Sequence, residues 1–221
     1  MDCCNYTQKA NDHFGETRAS TDMEQYIKDG LNSHSKAMVE LVSTRNIQGA
    51  GLLEVGSGIG AVTLELLKKG AAQAVNVEAS DAYLDAAKQL AGRMQSEERV
   101  TYHRADFTRE AAQLPPADVV VMHRVVCCYP DAGALVTAAA QHSLHLLALS
   151  YPVDAWYMHL QNFAQNFVSW AGGSAFRQYI HSPQMIFEAA AASGLRPIRE
   201  SSSGVWRLVL FERSPVEGSA G

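Results

Sequence analysis

The run LLEVGSGIGA, residues 52–61, sets three glycines directly behind a short apolar stretch and directly before a helical one. GLLEV (51–55) has the length and apolar content of a buried strand, while AVTLELLKKG (61–70) has helical spacing that closes on Lys68, Lys69 and the stop residue Gly70. Glycines in such a strand-to-helix turn let a ligand approach the backbone, and the helix start behind them offers unpaired N–H groups. The order here, Gly56-x-Gly58-x-Gly60 preceded by Glu54, differs from the dinucleotide spacing G-x-G-x-x-G. Taken alone, the turn is also compatible with a corner that merely tightens a strand against a helix.

The same alternation repeats outward. Strands are expected at AQAVNVEAS (72–80), RVTYHRAD (99–106), ADVVVMH (117–123) and SLHLLALSY (143–151), with helices between them. DAYLDAAKQLAGRM begins at a cap, Ser80 or Asp81, and Asp131 caps AGALVTAAAQ. Val- and Leu-rich strands alternating with helices predict a parallel sheet covered on both faces, a doubly wound α/β fold. GLRPIRESS (194–202) and GVWRLVLFER (204–213) are joined too closely for a parallel crossover, so they form an antiparallel hairpin and the sheet ends in one antiparallel strand. Residues 46–213 are the core domain. Residues 1–45, largely helical, and 152–182, aromatic-rich and broken by AGG at 171–173, are expected to cover its open edge as lids, and 214–221 to form a flexible tail.

The chain has 221 residues, 47% of them hydrophobic, and a net charge of -5 with scattered basic residues, which argues against nucleic acid as a partner. The start MDCCNYTQKANDHF lacks the basic and apolar regions of a secretory signal, and no stretch of about 18 apolar residues follows, so a cytoplasmic protein without a membrane span is expected. The cysteines fall in two adjacent pairs, Cys3–Cys4 and Cys127–Cys128, which is not a disulfide framework.

Two further strand ends bear on the ligand. Glu78 ends the second strand about 20 residues past the glycine turn, where an acid accepts the hydroxyls of a ribose. ADF ends the third, with Asp106 as an acceptor for an adenine amino group or as a helix cap, and Phe107 for the ring face. Together LLEVGSGIG, Glu78, ADF and the terminal hairpin resemble the class I S-adenosylmethionine-dependent methyltransferases over residues 46–212. The resemblance implies a seven-stranded sheet with an antiparallel last strand and S-adenosyl-L-methionine as cofactor. It places Gly56, Gly58 and Gly60, with Ser57 between them, along the methionine part, Glu54 near the amino group, Glu78 and Ala79 at the ribose, and Asp106 and Phe107 at the adenine. HRVVCCYPD (123–131), LLALSYP, RQYIHSP and ASGLRPIRESSSGVWRLVLFER are similar to the branch around magnesium-protoporphyrin O-methyltransferase, with departures at the two cysteines and at His123-Arg124.

Ligands of doubly wound sheets lie beyond the carboxyl ends of the strands, where HRVVCCYPD begins. The catalytic candidates are His123, as base or orienter and also a cofactor contact, Arg124, as a clamp for an acidic acceptor or for the cofactor carboxylate, and Tyr129, which would also line the pocket. Adjacent cysteines in an extended segment point to opposite sides, which disfavours a shared metal site and favours packing over a nucleophilic role. The substrate and lid candidates are Tyr26 and His34 in the first lid, Tyr151, Trp156 and Tyr157 after the fifth strand, and Arg177, Tyr179 and His181 beyond, an aromatic set suited to a flat or apolar acceptor. The function that follows is methyl transfer to a small molecule, on an oxygen such as a carboxylate or hydroxyl. Transfer to a thiol or metalloid, a non-catalytic cofactor-binding protein and an NAD-dependent dehydrogenase are the competing readings. The oligomeric state is not assigned by the sequence.

Overall fold

The computed structural model describes residues 6–214. Its centre is a seven-stranded sheet in the order β3-β2-β1-β4-β5-β7-β6. β1 (Gly51–Val55), β2 (Gln73–Glu78), β3 (Val100–Arg104), β4 (Ala117–Met122) and β5 (Ser143–Pro152) are parallel. β7 (Trp206–Arg213) runs antiparallel to both β5 and β6 (Leu195–Ser203). The expected antiparallel strand is therefore present, but it lies inside the sheet and leaves β6 as the edge. Composition explains the order: Leu208 to Phe211 are fully buried, whereas β6 carries Arg, Glu and a serine run and is mostly exposed, as an edge strand must be.

Alternation along the strands divides the core in two. Leu52, Val119, Val121, Ala148 and Leu210 face one side, with α2 (Glu16–Asp29), α3 (Ser33–Val42), α4 (Ala61–Lys68) and α5 (Asp81–Arg93). Leu53, Val55, Val120, Met122, Leu147, Leu149 and Phe211 face the other, with α7 (Ala132–His142) and α9 (Pro183–Ala192). Between the sequence's two cap candidates for α5, the structure selects Ser80, whose side chain accepts from the Tyr83 N–H, and Asp131 caps α7 by accepting from Ala134 N–H at 2.9 Å. Strand order reverses between β1 and β4, which opens a crevice at their carboxyl ends.

The two lid segments differ from expectation in opposite ways. α1 (Tyr6–His13), α2 and the start of α3 do close over the crevice. α8 (Trp156–Ala171), by contrast, turns its aromatic face outward: Trp156 is 78% exposed, Phe163 70% and Trp170 62%. Its inner face is polar, because Asn162 and Asn166 donate side-chain N–H groups to the Gln178 carbonyl at 3.1 and 2.8 Å and Asn166 Oδ1 accepts from Gln178 N–H at 2.9 Å. The helix thus clamps the loop carrying Gln178, and Trp156 and Tyr157 do not wall the crevice. No helix among the described residues is long and apolar enough to cross a membrane. Cys3, Cys4 and all of the expected tail except Ser214 lie outside the described residues.

The glycine turn is held by packing as much as by hydrogen bonds. Gly56 has φ +68°, and a Cβ there would stand 2.5 Å from a Val125 methyl group. Gly56→Ala should lower the unfolding free energy by about 2–4 kcal/mol, the sum of left-handed backbone strain and overpacking. In a Val125→Gly background, which removes both the methyl and the Cβ that stands 2.8 Å away, the same change should cost only about 1–2 kcal/mol, as urea denaturation of the four proteins would read.

Candidate active site

A cavity of about 360 Å³ lies beyond the carboxyl ends of β1, β2 and β4, roofed by α1, α2 and the start of α3. Its floor is the glycine turn, tied to β2 by Gly56 N–H and Ser57 N–H, both donated to the Val77 carbonyl at 2.8 and 3.3 Å. Gly60 has φ +72° and caps α4; a Cβ there would meet the Asn76 side chain at 2.8 Å.

Of the carboxylates that line this space, Glu54 and Glu78 are set into its floor, and neither forms an ion pair among the described residues. Glu78 accepts three backbone N–H groups, from Gly58 at 2.9 Å, Ala79 at 2.8 Å and Ser80 at 3.1 Å. Burial raises its pKa, and those three bonds oppose the rise. Glu54, 3% exposed, accepts from the Thr63 backbone N–H at 3.0 Å and from its hydroxyl, and burial pushes it up to about 7 against those bonds. Ser57 Oγ, on the same wall, is buried and finds no partner among the described residues. Two carboxylates that hold protons too tightly and one orphan hydroxyl form a donor and acceptor set suited to a ligand bearing a cationic amine and sugar hydroxyls.

At the third strand the alternatives for Asp106 resolve toward the cap. Its carboxylate accepts from Thr108 N–H at 3.2 Å and Thr108 Oγ1 at 2.8 Å, and from Tyr129 Oη at 3.0 and 3.2 Å to its two oxygens. Asp106 is 3% exposed and does not line the cavity, whereas Phe107 and Ala79 do. Tyr129 does line it, but its hydroxyl is turned into Asp106 and Thr108 and its ring meets Tyr6 edge-on at 4.7 Å, so it supports the wall and stands outside the reacting end.

The reacting end is built around a strained residue. Arg124 is non-glycine with φ +60°, held there by its N–H donating to Ser150 Oγ at 2.8 Å. Ser150 Oγ also lies 3.3 Å from His123 Nδ1, and His123 Nε2 lies 3.2 Å from Ser35 Oγ. In the tautomer that satisfies all three groups, Ser150 donates to Nδ1 and Nε2–H donates to Ser35. Burial, with Arg124 and His34 nearby, lowers His123 to about 3, so the ring is neutral and a weak base. The Arg124 guanidinium lies 5.0 Å from the centre of the Trp206 ring and forms no ion pair among the described residues.

Several sequence candidates fall outside the cavity, each for a local reason. Tyr151 sits in the opposite core beside Leu147 and Leu149, since alternation on β5 sends Ser150, not Tyr151, to the site. His34 pairs through Nδ1 with Ser203 Oγ at 2.9 Å. Arg177 donates to the carbonyls of Ser174 and Phe176, both at 2.7 Å. Tyr179 donates its N–H to the Cys127 carbonyl and its ring stacks on His181 at 5.7 Å, while His181 Nε2 donates to the Tyr129 carbonyl at 2.9 Å. Tyr26 lines the cavity with its ring but donates its hydroxyl to Glu65 at 2.6 Å. The residues that sequence reasoning missed are Ser35, Ser150, Trp206, Gln178 and Tyr6; only strand alternation, for Ser150, carried a signal.

Residues 52–145 match the family described as Methyltransferase domain. No curated protein matches the chain in sequence. Among solved structures it is similar to the magnesium protoporphyrin IX methyltransferase ChlM from Synechocystis PCC 6803 with bound SAH, at 22% identity and TM-score 0.71 over 95% of this chain and 100% of that one. It is also similar to an O-methyltransferase family protein from Burkholderia thailandensis, at 16% identity and TM-score 0.71 over 96% and 64% of the two chains. The chain shares the fold of these two structures, a Rossmann-like, mostly parallel seven-stranded sheet.

Tyr129→Phe removes only the hydroxyl held by Asp106 and Thr108, and should cost the protein about 1–3 kcal/mol of stability, because the Asp106 carboxylate stays buried with a partner lost. Thermal and urea unfolding would show it.

Proposed function

We propose that the cavity holds S-adenosylmethionine and that the protein transfers its methyl group to a carboxylate oxygen of a small acceptor entering beside Arg124. When bound, the cofactor supplies a methyl group on a cationic sulfur. Glu78 receives the ribose hydroxyls and Glu54 the amino group, and Ser57 Oγ gains the partner it lacks. The glycine turn, Gly56 to Gly60, follows the methionine portion, and Ala79 and Phe107 flank the adenine. Asp106 acts one step back, by fixing Tyr129 and the turn after β3.

The observation that carries the acceptor class is the pair His123 and Arg124. A histidine lowered to about 3 is a poor general base near neutral pH, so an acceptor hydroxyl or thiol would find little help there. A carboxylate is already ionised and needs none. It needs a positioned cation, and Arg124 offers a guanidinium that has no acidic partner among the described residues and lies over the Trp206 ring, 5.0 Å from its centre, on a strained backbone. Alignment of the two reactants can then supply about 7–11 kcal/mol of the barrier reduction. The scattered basic residues and the size of the cavity support a small-molecule acceptor over nucleic acid, and the enzyme is proposed to work in the cytoplasm.

An acceptor panel of carboxylic acids, phenols and thiols incubated with S-adenosylmethionine and read by the mass gain of one methyl tests the proposal. Carboxylic acids should be methylated, and Arg124→Ala should raise the acceptor KM about 10–100-fold while leaving the cofactor Kd within about twofold, since a lost charged hydrogen bond is worth about 1.5–3 kcal/mol. Methylation of thiols or phenols alone would overturn the acceptor class. Cofactor binding without transfer to any acceptor would favour a non-catalytic binding protein, and binding of a nicotinamide dinucleotide in place of S-adenosylmethionine would overturn the whole reading.

A further inference from the structure

Cys127 and Cys128 take no part in the reaction proposed above, yet both line the cavity. In an extended segment their side chains would diverge. The chain instead makes a turn of 3₁₀ helix over Val126–Cys128, which rotates consecutive side chains by about 120°. Both sulfurs therefore come to one side, 3.7 Å apart, and each approaches the same Arg124 carbonyl, at 3.7 and 3.6 Å. Two sulfurs bonded at about 2.3 Å to one pyramidal or tetrahedral centre stand roughly 3.4–3.8 Å apart, so this spacing suits two bonds to a single thiophilic atom with little backbone movement.

The number of ligands selects the class of that atom. A structural zinc site needs four ligands, and no group of three or more His, Cys, Asp or Glu side chains that could hold a metal ion occurs among the described residues. Two thiols alone suit a centre that forms two covalent bonds to sulfur and brings its own third substituent. We propose that Cys127 and Cys128 form a chelating dithiol site for trivalent organoarsenicals on the wall of the cavity. An arsonous acid R–As(OH)2 reacts with the two thiols to give the cyclic dithioarsonite and two waters. Two As–O bonds break, two As–S bonds form, each thiol proton leaves on a hydroxide, and arsenic stays trivalent, so no oxidant or reductant enters. The geometry also prepares the first bond: the contact with the Cys128 sulfur, together with the nearby Arg124, lowers the Cys127 pKa against the effect of burial.

Phenylarsine oxide is the probe, titrated into the reduced full-length protein carrying Cys3→Ser and Cys4→Ser, so that the other adjacent pair is removed. Native mass spectrometry should show one equivalent bound with loss of two waters from the hydrated arsenical. Adding Cys127→Ser or Cys128→Ser should each weaken binding by about 100-fold or more, because the second sulfur acts at high effective concentration. Cys127→Ala and Cys128→Ala, checked by circular dichroism, carry the same expectation if a buried serine hydroxyl unfolds the turn. No binding to the protein that retains Cys127 and Cys128, or a loss below tenfold in either folded single variant, would overturn the proposal.

Discussion

Glu78 is a carboxylate set into the floor of a crevice and held there by backbone N–H groups from three residues, Gly58, Ala79 and Ser80. That one side chain ties the end of β2 to the glycine turn after β1 and to the start of α5. The arrangement explains why the turn needs its glycines: Gly58 has φ +54°, which brings its N–H to Glu78, and Gly56 must lie under Val125 with no room for a Cβ. Desolvation without a counter-charge leaves Glu78 and its neighbour Glu54 poorly stabilised as anions. A cavity built this way gains most from a ligand that brings hydroxyls to one acid and an ammonium to the other.

From that floor the site divides into two ends with different physics. Toward β3 the polar groups satisfy one another, through Asp106, Thr108 and Tyr129, and the exposed wall is Phe107, Ala79 and the edge of Tyr6. Toward β4 and β5 the network Ser35, His123, Ser150 and Arg124 leaves one charge over, the guanidinium on Trp206. His123 is hydrogen-bonded on both ring nitrogens, and burial lowers its pKa to about 3, which keeps the ring neutral near pH 7. The strain at Arg124 is matched by the Ser150 hydrogen bond and by the packing of Val125 against Gly56, so the glycine turn and the charged end are mechanically one unit.

The fold was legible in the sequence because it rests on period and punctuation. β1 stops just before Gly56, β2 at Glu78 and β4 just before His123-Arg124, and the caps Ser80 and Asp131 stand at the starts of α5 and α7. The glycine turn, Glu54 and Glu78 were legible for the same reason, since they follow from strand ends. What escaped was decided by side-chain direction. Tyr151 reads as a lid residue until alternation on β5 turns it into the core and brings Ser150 to the site. The aromatic pattern of 152–182 reads as a pocket wall, but Asn162 and Asn166 bind the Gln178 loop and so rotate the rings to the surface. The adjacent cysteines read as divergent in a strand, and a short 3₁₀ turn, which leaves no mark in the hydrophobic pattern, brings them together.

The central claim is that Glu54 and Glu78 hold the nucleoside and amino ends of S-adenosylmethionine. Isothermal titration of the stable product S-adenosylhomocysteine between pH 5.5 and 7.5 addresses it directly. Glu54 titrates near 7 in the free protein, and an arriving ammonium favours its ionised form. Binding below pH 7 must then release a proton, and affinity must rise with pH toward 7, by at most about tenfold per unit. The account predicts one site per chain with that slope, flattened in Glu54→Gln, and binding weakened at least about tenfold in Glu78→Ala. Absence of binding, or an affinity indifferent both to pH and to Glu78→Ala, would contradict it.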